Sequence, residues 1–254
     1  MSFKTRMKKM NRGILLGVVI LLALIIYIVV DNVRFNQSKD DIKNEAQKYA
    51  EAFAAASVSD VEGIWSKEDV EKYNQGLTQV INEYWSDNGV STALIYGYEG
   101  KNDMIDYVSY FGNTSSYVGN VKNVKYDFTK VKVKKYGPGG AMLTGTIVMT
   151  GSVPQYNGFT FIGGCMYADY FTGVDDDKEN EEGKISNATV DISVEIDATM
   201  IFTYEDGQWK ICNQSMFWFD GKAGASYDEV VIEIGGSKDG NNTEGSSSED
   251  RKSE

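Results

Sequence analysis

Apolar side chains fill every even position from Val190 to Tyr204, and polar ones fill nearly every odd position from Asp191 to Glu205. A period of two predicts a strand with one buried face. Common strands run about five or six residues, whereas this stripe runs about fifteen. A tight turn at Glu205-Asp206-Gly207 then sends the chain back as a return strand from Gln208 to about Phe219. Upstream, "VKNVKYDFTKVKVKKYGPGGAMLTGTIVMTGSV" reads as a hairpin around Gly137-Pro138-Gly139-Gly140. Its first arm changes phase: Val124, Tyr126 and Phe128 are even, Val131 and Val133 odd. A strand cannot swap faces without an extra residue, so a bulge is expected between Phe128 and Val131. Phe159 to Phe171 is apolar on both faces and reads as a central, doubly covered strand. Tyr227 to Ile234 reads as an edge strand.

The periodicity before residue 121 is helical. In Asp40–Ser57 one face carries Ile42, Ala46, Tyr49, Ala50, Phe53 and Ala54. Ser38 with Asp41, and Ser66 with Asp69, have the spacing of capping boxes. The helix after Ser66 aligns Val70, Tyr73, Leu77, Val80, Ile81 and Tyr84. Val90 to Tyr98 reads as a short strand and Asp103 to Phe111 as a short helix. Helices first and long antiparallel strands after them predict an α+β fold, two or three helices packed on a strongly curved sheet. The result is a cone, with the even side of residues 190–204 as its lining. Tyr49, Phe53, Trp65, Val194, Ile196, Met200, Phe202 and Trp209 are the candidate lining of any interior ligand pocket.

The N-terminus has neither period. Gly13 to Val30 holds no charge, and eighteen residues at about 1.5 Å each span roughly a hydrocarbon core. A cleaved signal would have a shorter apolar run ending in small residues; this one ends "IYIVVDN". Lys4, Arg6, Lys8, Lys9 and Arg12 precede the span and no acid does, which predicts a cytoplasmic N-terminus, a single pass through the cell membrane and an extracytoplasmic remainder. The expected organisation is a basic tail (1–12), a transmembrane helix (13–30), a polar stalk (31–39), the exported cone (40–234) and a polar tail (235–254). That last stretch lacks apolar residues and cannot offset its ordering entropy.

Charge and composition then narrow the function. The chain's net charge of −12, less the +5 of residues 1–30, leaves −17 on the exported part. So acidic a domain is a poor nucleic-acid binder, since phosphate contacts dominate that affinity. Histidine is absent, which removes Ser-His-Asp and Cys-His catalysis and histidine metal sites.

Two stretches carry a resemblance. "YAEAFAAASVSDVEGIW" resembles the first helix and helix-turn of nuclear transport factor 2-like (SnoaL-like) domains, and "TMIFTYEDGQWKI" resembles their closing hairpin. The likeness covers roughly residues 40–220, but only these ends are specific. The "GGCMYADYFTGVDDDKENEEGK" segment is longer and more acidic than that pattern, and residues 220–234 extend past its usual end. A basic tail, one anchor and one exported cone resemble the scaffold subunits of conjugation and type IV secretion channels, which implies a role in holding other envelope proteins.

Chemistry has few candidates. Asp169 shares parity with Phe161, Cys165, Tyr167 and Phe171. Inside the cone its pKa would rise and suit general acid–base work; at a strand end it would reach solvent or cap an amide. Members of the resembling superfamily that isomerise steroids use such a carboxylate with a tyrosine. Cys165 and Cys212 are the only cysteines, either a disulfide pair or two buried thiols. "DDDKENEE", residues 175–182, lacks the glycine and terminal glutamate of an EF loop and reads as solvated. Lys130, Lys132, Lys134 and Lys135 form a basic edge that either meets anionic lipid or wall polymer or guards an edge strand.

The expectation is therefore a membrane-anchored extracytoplasmic interaction or assembly module, with an oligomer left open. It is expected to be no enzyme and to need no cofactor or metal. The alternatives are a ligand-binding or sensing domain using the cone interior and, third, a small-molecule enzyme of isomerase or dehydratase type.

Overall fold

The computed structural model describes residues 12–58, 66–88, 98, 100–114, 121–154, 158–167, 184–186, 189–223 and 231–233. Four helices come first: α1 (Arg12–Gln37), α2 (Lys39–Ser57), α3 (Lys67–Tyr84) and α4 (Lys101–Thr114). Then follow β1 (Lys122–Lys135), β2 (Gly140–Pro154), β3 (Gly158–Phe161), β4 (Gly164–Tyr167), β5 (Lys184–Ser186), β6 (Thr189–Glu205), β7 (Gln208–Ala223) and β8 (Val231–Glu233). The main sheet has the order β1-β2-β6-β7 and is antiparallel throughout. The fold is α+β, helices laid across a curled antiparallel sheet, as the periodicities predict.

The long stripe behaves as its alternation requires. Val190, Ile192, Val194, Ile196, Ala198, Met200 and Phe202 are buried, while Asp191, Ser193 and Asp197 are exposed. Beside it on the same sheet face of β2 are Leu143, Ile147 and Met149, and the predicted face of α2, Ile42, Ala46, Tyr49, Ala50 and Phe53, joins the same core, all buried. Each such side chain is worth roughly 1.5–3 kcal/mol of gross burial, most of it offset by chain entropy.

The curl has local causes. On β1 the register slips between Asp127 and Lys130, where the phase change places a bulge, so Phe128 and Val131 are both buried. Opposite it, Gly145 of β2 has a φ of 141°, and a Cβ there would strike the Lys130 carbonyl. On β7 a second slip lies opposite Ile201/Phe202. Bulges of this kind increase local twist and bend the strand. The β6–β7 turn sets Asp206 and Gly207 at positive φ, 48° and 86°, as a tight two-residue hairpin demands.

Two expected elements differ from what is found. Phe159–Phe171 is no single central strand: β3 and β4 pair as a separate ribbon, turned at Ile162-Gly163. The central strands are β2 and β6. Ser66 and Asp69 close a true capping box, but Ser38 makes no side-chain cap. Its backbone sits at φ −100°, ψ 7°, outside the extended region a cap needs, because its N–H is still bonded to the carbonyls of Arg34 and Phe35. Of the strand Val90–Tyr98 only Tyr98 is described, bridging Gln214. The edge strand near Tyr227–Ile234 is represented by β8, which pairs with β5.

Among the described residues one helix, α1, is long and apolar enough to cross a membrane, with a mean hydropathy of 3.2 over its apolar window. It continues helically to Gln37, through residues expected as a stalk. Its last turns rest on the domain: Asp31 and Phe35 are buried.

Candidate functional site

Among the described residues, polar chemistry gathers inside the cone and in a groove outside it. Inside, Tyr49 of α2 is fully buried and packs edge-on to Phe53 (ring centroids 5.9 Å) and to Trp85 (6.5 Å). The pairing of Met200 with Gln214 puts the Gln214 amide on the same inner side. Its nitrogen donates to the Ile162 carbonyl. The Tyr49 hydroxyl, the Trp85 indole N–H and the Gln214 side-chain amide oxygen are buried without a well-formed hydrogen bond. Burial pushes the Tyr49 phenol well above its ordinary pKa, and the neighbouring Trp85 and Gln214 groups only partly counter this. Tyr126 of β1 is raised likewise by burial, although its oxygen accepts the Ile162 N–H at 3.2 Å. These groups stay neutral across the physiological range. They can donate and accept hydrogen bonds, but they offer no charge.

Outside, a groove of about 590 Å³ runs between α2, the end of α3 and the β6–β7 turn. Glu45 and Lys48 line it from α2, Tyr84 from α3, and Gln208, Trp209 and Lys210 from β7. Lys48 bonds Glu45 at 2.7 Å. The Lys210 ammonium donates to the Glu83 carbonyl, which lies in the last helical turn of α3. Tyr204 meets Trp209 edge-on at 5.2 Å, and the Trp209 indole N–H has no hydrogen-bond partner. The groove is polar and carries both signs of charge.

The predicted site residues separate between these places. Tyr49, Phe53, Val194, Ile196, Met200 and Phe202 meet in the core, each buried by its neighbours. Trp209, paired with Tyr204, is buried in the same core and also lines the outer groove. Trp65 and Asp169 lie outside the described residues, as does the acidic loop at 175–182. Cys212 is a free, buried thiol that donates to the Ile201 carbonyl at 3.3 Å, and burial pushes its pKa up to about 12. The side chain of Cys165, on β4, lies outside the described residues. Lys130, Lys132, Lys134 and Lys135 sit on β1, one of the two outer strands of the main sheet. Lys130 reaches Glu195 at 3.1 Å, Lys135 is tied to Asp31, and Lys132 and Lys134 are exposed.

Sequence reasoning missed Trp85, Gln214 and Asp31. For Gln214 a signal exists: Trp209 and Ile211 are odd, Gln214 and Met216 even, the same phase slip that betrays the β1 bulge. Asp31 stands one residue past an apolar run, where a charge reads simply as the end of a span.

No protein-family model matches the chain, and no curated protein matches it. Solved structures do. One is an uncharacterised protein with a cystatin-like fold from Caulobacter vibrioides, 11% identical, covering 70% of this chain and 89% of that one, with a TM-score of 0.35. Another is a hexachlorocyclohexane dehydrochlorinase, LinA type 2, 12% identical over 73% of this chain and 94% of that one, TM-score 0.34. A third is the type 3 dehydrochlorinase from Novosphingobium barchaimii, 12% identical over 73% and 95%, TM-score 0.33. Two of the three are enzymes, so the expectation of no enzymatic activity, drawn from the missing histidines, is corrected: similar structures include enzymes. At this identity the likeness concerns the fold and assigns no activity to this chain.

Proposed function

We propose that the chain is a membrane-anchored protein whose extracytoplasmic cone acts as an interaction or assembly module of an envelope complex, through its outer surface. One observation carries this reading. The even stripe of β6 and the inner face of α2 belong to one filled core, with Tyr49, Phe53, Ile196 and Met200 at 0% exposure, while the 590 Å³ groove opens outside. The groove mixes an aromatic floor at Trp209 with Glu45, Lys48 and Lys210, chemistry suited to a polar protein segment. The basic start of the chain supports a cytoplasmic N-terminus and an exported cone. The layout of basic tail, single anchor and exported cone, which resembles that of conjugation and type IV secretion scaffolds, supports such a complex as the partner.

The test is photo-crosslinking in cells, with a benzophenone amino acid at Asn44 or Gln208 in the groove and at Thr150 on β2. Discrete protein adducts at the first two positions and none at Thr150 support the reading; an absence of adducts from both groove positions contradicts it.

A second reading, a binder of small neutral ligands within the cone, is favoured by the Tyr49, Trp85 and Gln214 groups, which sit buried and imperfectly bonded. Buried polar groups of this kind are costly unless something satisfies them.

A further inference from the structure

The junction between α1 and the cone has chemistry of its own. The uncharged run ends at Val30, and Asp31 follows it. The Asp31 carboxylate accepts the backbone N–H of Gly139 at 3.1 Å and is paired with Lys135. One turn further on, Phe35 is buried, with the Lys135 ammonium 5.5 Å from its ring centre. Arg34 stands 4.8 Å over the ring of Tyr204. Three side chains of one helix thus hold the β1–β2 hairpin tip and the end of β6, and α1 is helical without a break from Arg12 to Gln37.

We infer that the tip of this hairpin, residues 136–140, is a lipid-contact surface, seated in the headgroup layer of the leaflet from which α1 emerges. This rests on the reading of α1 as a membrane span. At about 1.5 Å of rise per residue, Asp31 stands within a few Å of the hydrocarbon edge, and the headgroup layer beyond that edge is roughly 5–8 Å deep. A backbone bonded to Asp31 lies at that depth.

The composition of the tip fits the place. Gly137 and Pro138 are exposed and uncharged, and Tyr136 is half-buried beside them. Tyrosine is enriched at this level because its ring is apolar and its hydroxyl polar. Lys134, exposed two residues back, is placed where a lysine can extend its ammonium to lipid phosphate. Val33 is 50% exposed on α1, so the helix flank stays apolar past Asp31. Lys134 therefore has a lipid role beyond that of guarding an edge strand.

The test is photo-crosslinking of the full chain in vesicles of phosphatidylethanolamine and phosphatidylglycerol. A benzophenone residue replaces Pro138 or, as reference, the exposed Thr150 further along β2. The expected result is a lipid adduct by mass at position 138, its absence at 150, and its loss from position 138 when Asp31→Asn is added. Chain that resists alkaline carbonate extraction yet gives no lipid adduct at 138, or equal adducts at both positions, overturns the inference and leaves the anchor intact. Chain that carbonate extracts overturns the anchor and the inference together. An adduct at 138 unchanged by Asp31→Asn overturns the role given to the carboxylate.

Discussion

The carboxylate of Asp31 accepts the backbone N–H of Gly139 at 3.1 Å, joining the end of the N-terminal apolar helix to a hairpin 108 residues further along the chain. The same carboxylate is paired with Lys135, whose side chain is only 26% exposed. One acidic group therefore satisfies a backbone donor and a half-buried ammonium together.

Asp31→Ala leaves both without a partner. Removing one side of a buried hydrogen-bonded pair costs about 1–3 kcal/mol. A denaturant melt of the full chain in detergent micelles is expected to show that loss, with Asn32→Ala, on an exposed neighbour, close to the parent.

The stripe of β6 makes a face-by-face prediction. Ile196 is fully buried against its neighbours, whereas Asp197 is exposed. Ile196→Ala is expected to destabilise by about 2–5 kcal/mol, and Asp197→Ala to stay within roughly 0.5 kcal/mol of the parent. Equal effects in chemical denaturation would contradict the assignment of faces.

Gly145 tests the bulge. Its φ of 141° and its approach to the Lys130 carbonyl leave no room for a Cβ. Gly145→Ala is expected to lose more than about 1 kcal/mol, because the native backbone angle is incompatible with a side chain. Hydrogen exchange should show the added opening in β1 near Lys130, ahead of β6.

One pH dependence, that of the buried thiol and phenols, lies on the alkaline side. Burial raises Cys212 to about 12 and raises Tyr49 and Tyr126 above the ordinary tyrosine value. Folded-state values above the unfolded ones mean that, at high pH, the unfolded chain has released protons that the folded chain keeps. Their contribution is complete below the unfolded values, near 9 for the thiol and 10 for the phenols, and is lost as pH rises beyond them. Thermal melts are expected to be insensitive to these groups at pH 7–8 and to fall steadily above about pH 10. Tyrosinate absorbance from the buried rings should appear together with unfolding. Cys212 should resist thiol reagents at pH 8 until denaturant is added.

The sequence carried the main sheet and its helices because burial writes itself as a period. Val190 to Met200 alternates without a fault, Ile42 to Phe53 keeps helical spacing, and the switch from Phe128 to Val131 marks a bulge to within a residue. The β3–β4 ribbon was misread because an apolar run on both faces gives no phase, and Gly163-Gly164 was not weighed as a turn. The interior lining was legible for aliphatic residues but not for Gln214, since a lone amide carries no period of its own and faces inward only after the slip opposite Ile201/Phe202. The contact of Asp31 with Gly139 leaves no local trace, being made across the fold between two segments that each look complete.

The central claim is that the even side of β6 closes the cone from within, leaving the outer surface to act. Single cysteines at successive positions from 190 to 202, in a full chain carrying Cys165→Ala and Cys212→Ala, would be exposed to a membrane-impermeant maleimide in vesicles. The account predicts rapid labelling at 191, 193 and 197 and protection at 192, 194, 196, 198, 200 and 202. Labelling of the even positions as fast as the odd ones would contradict it.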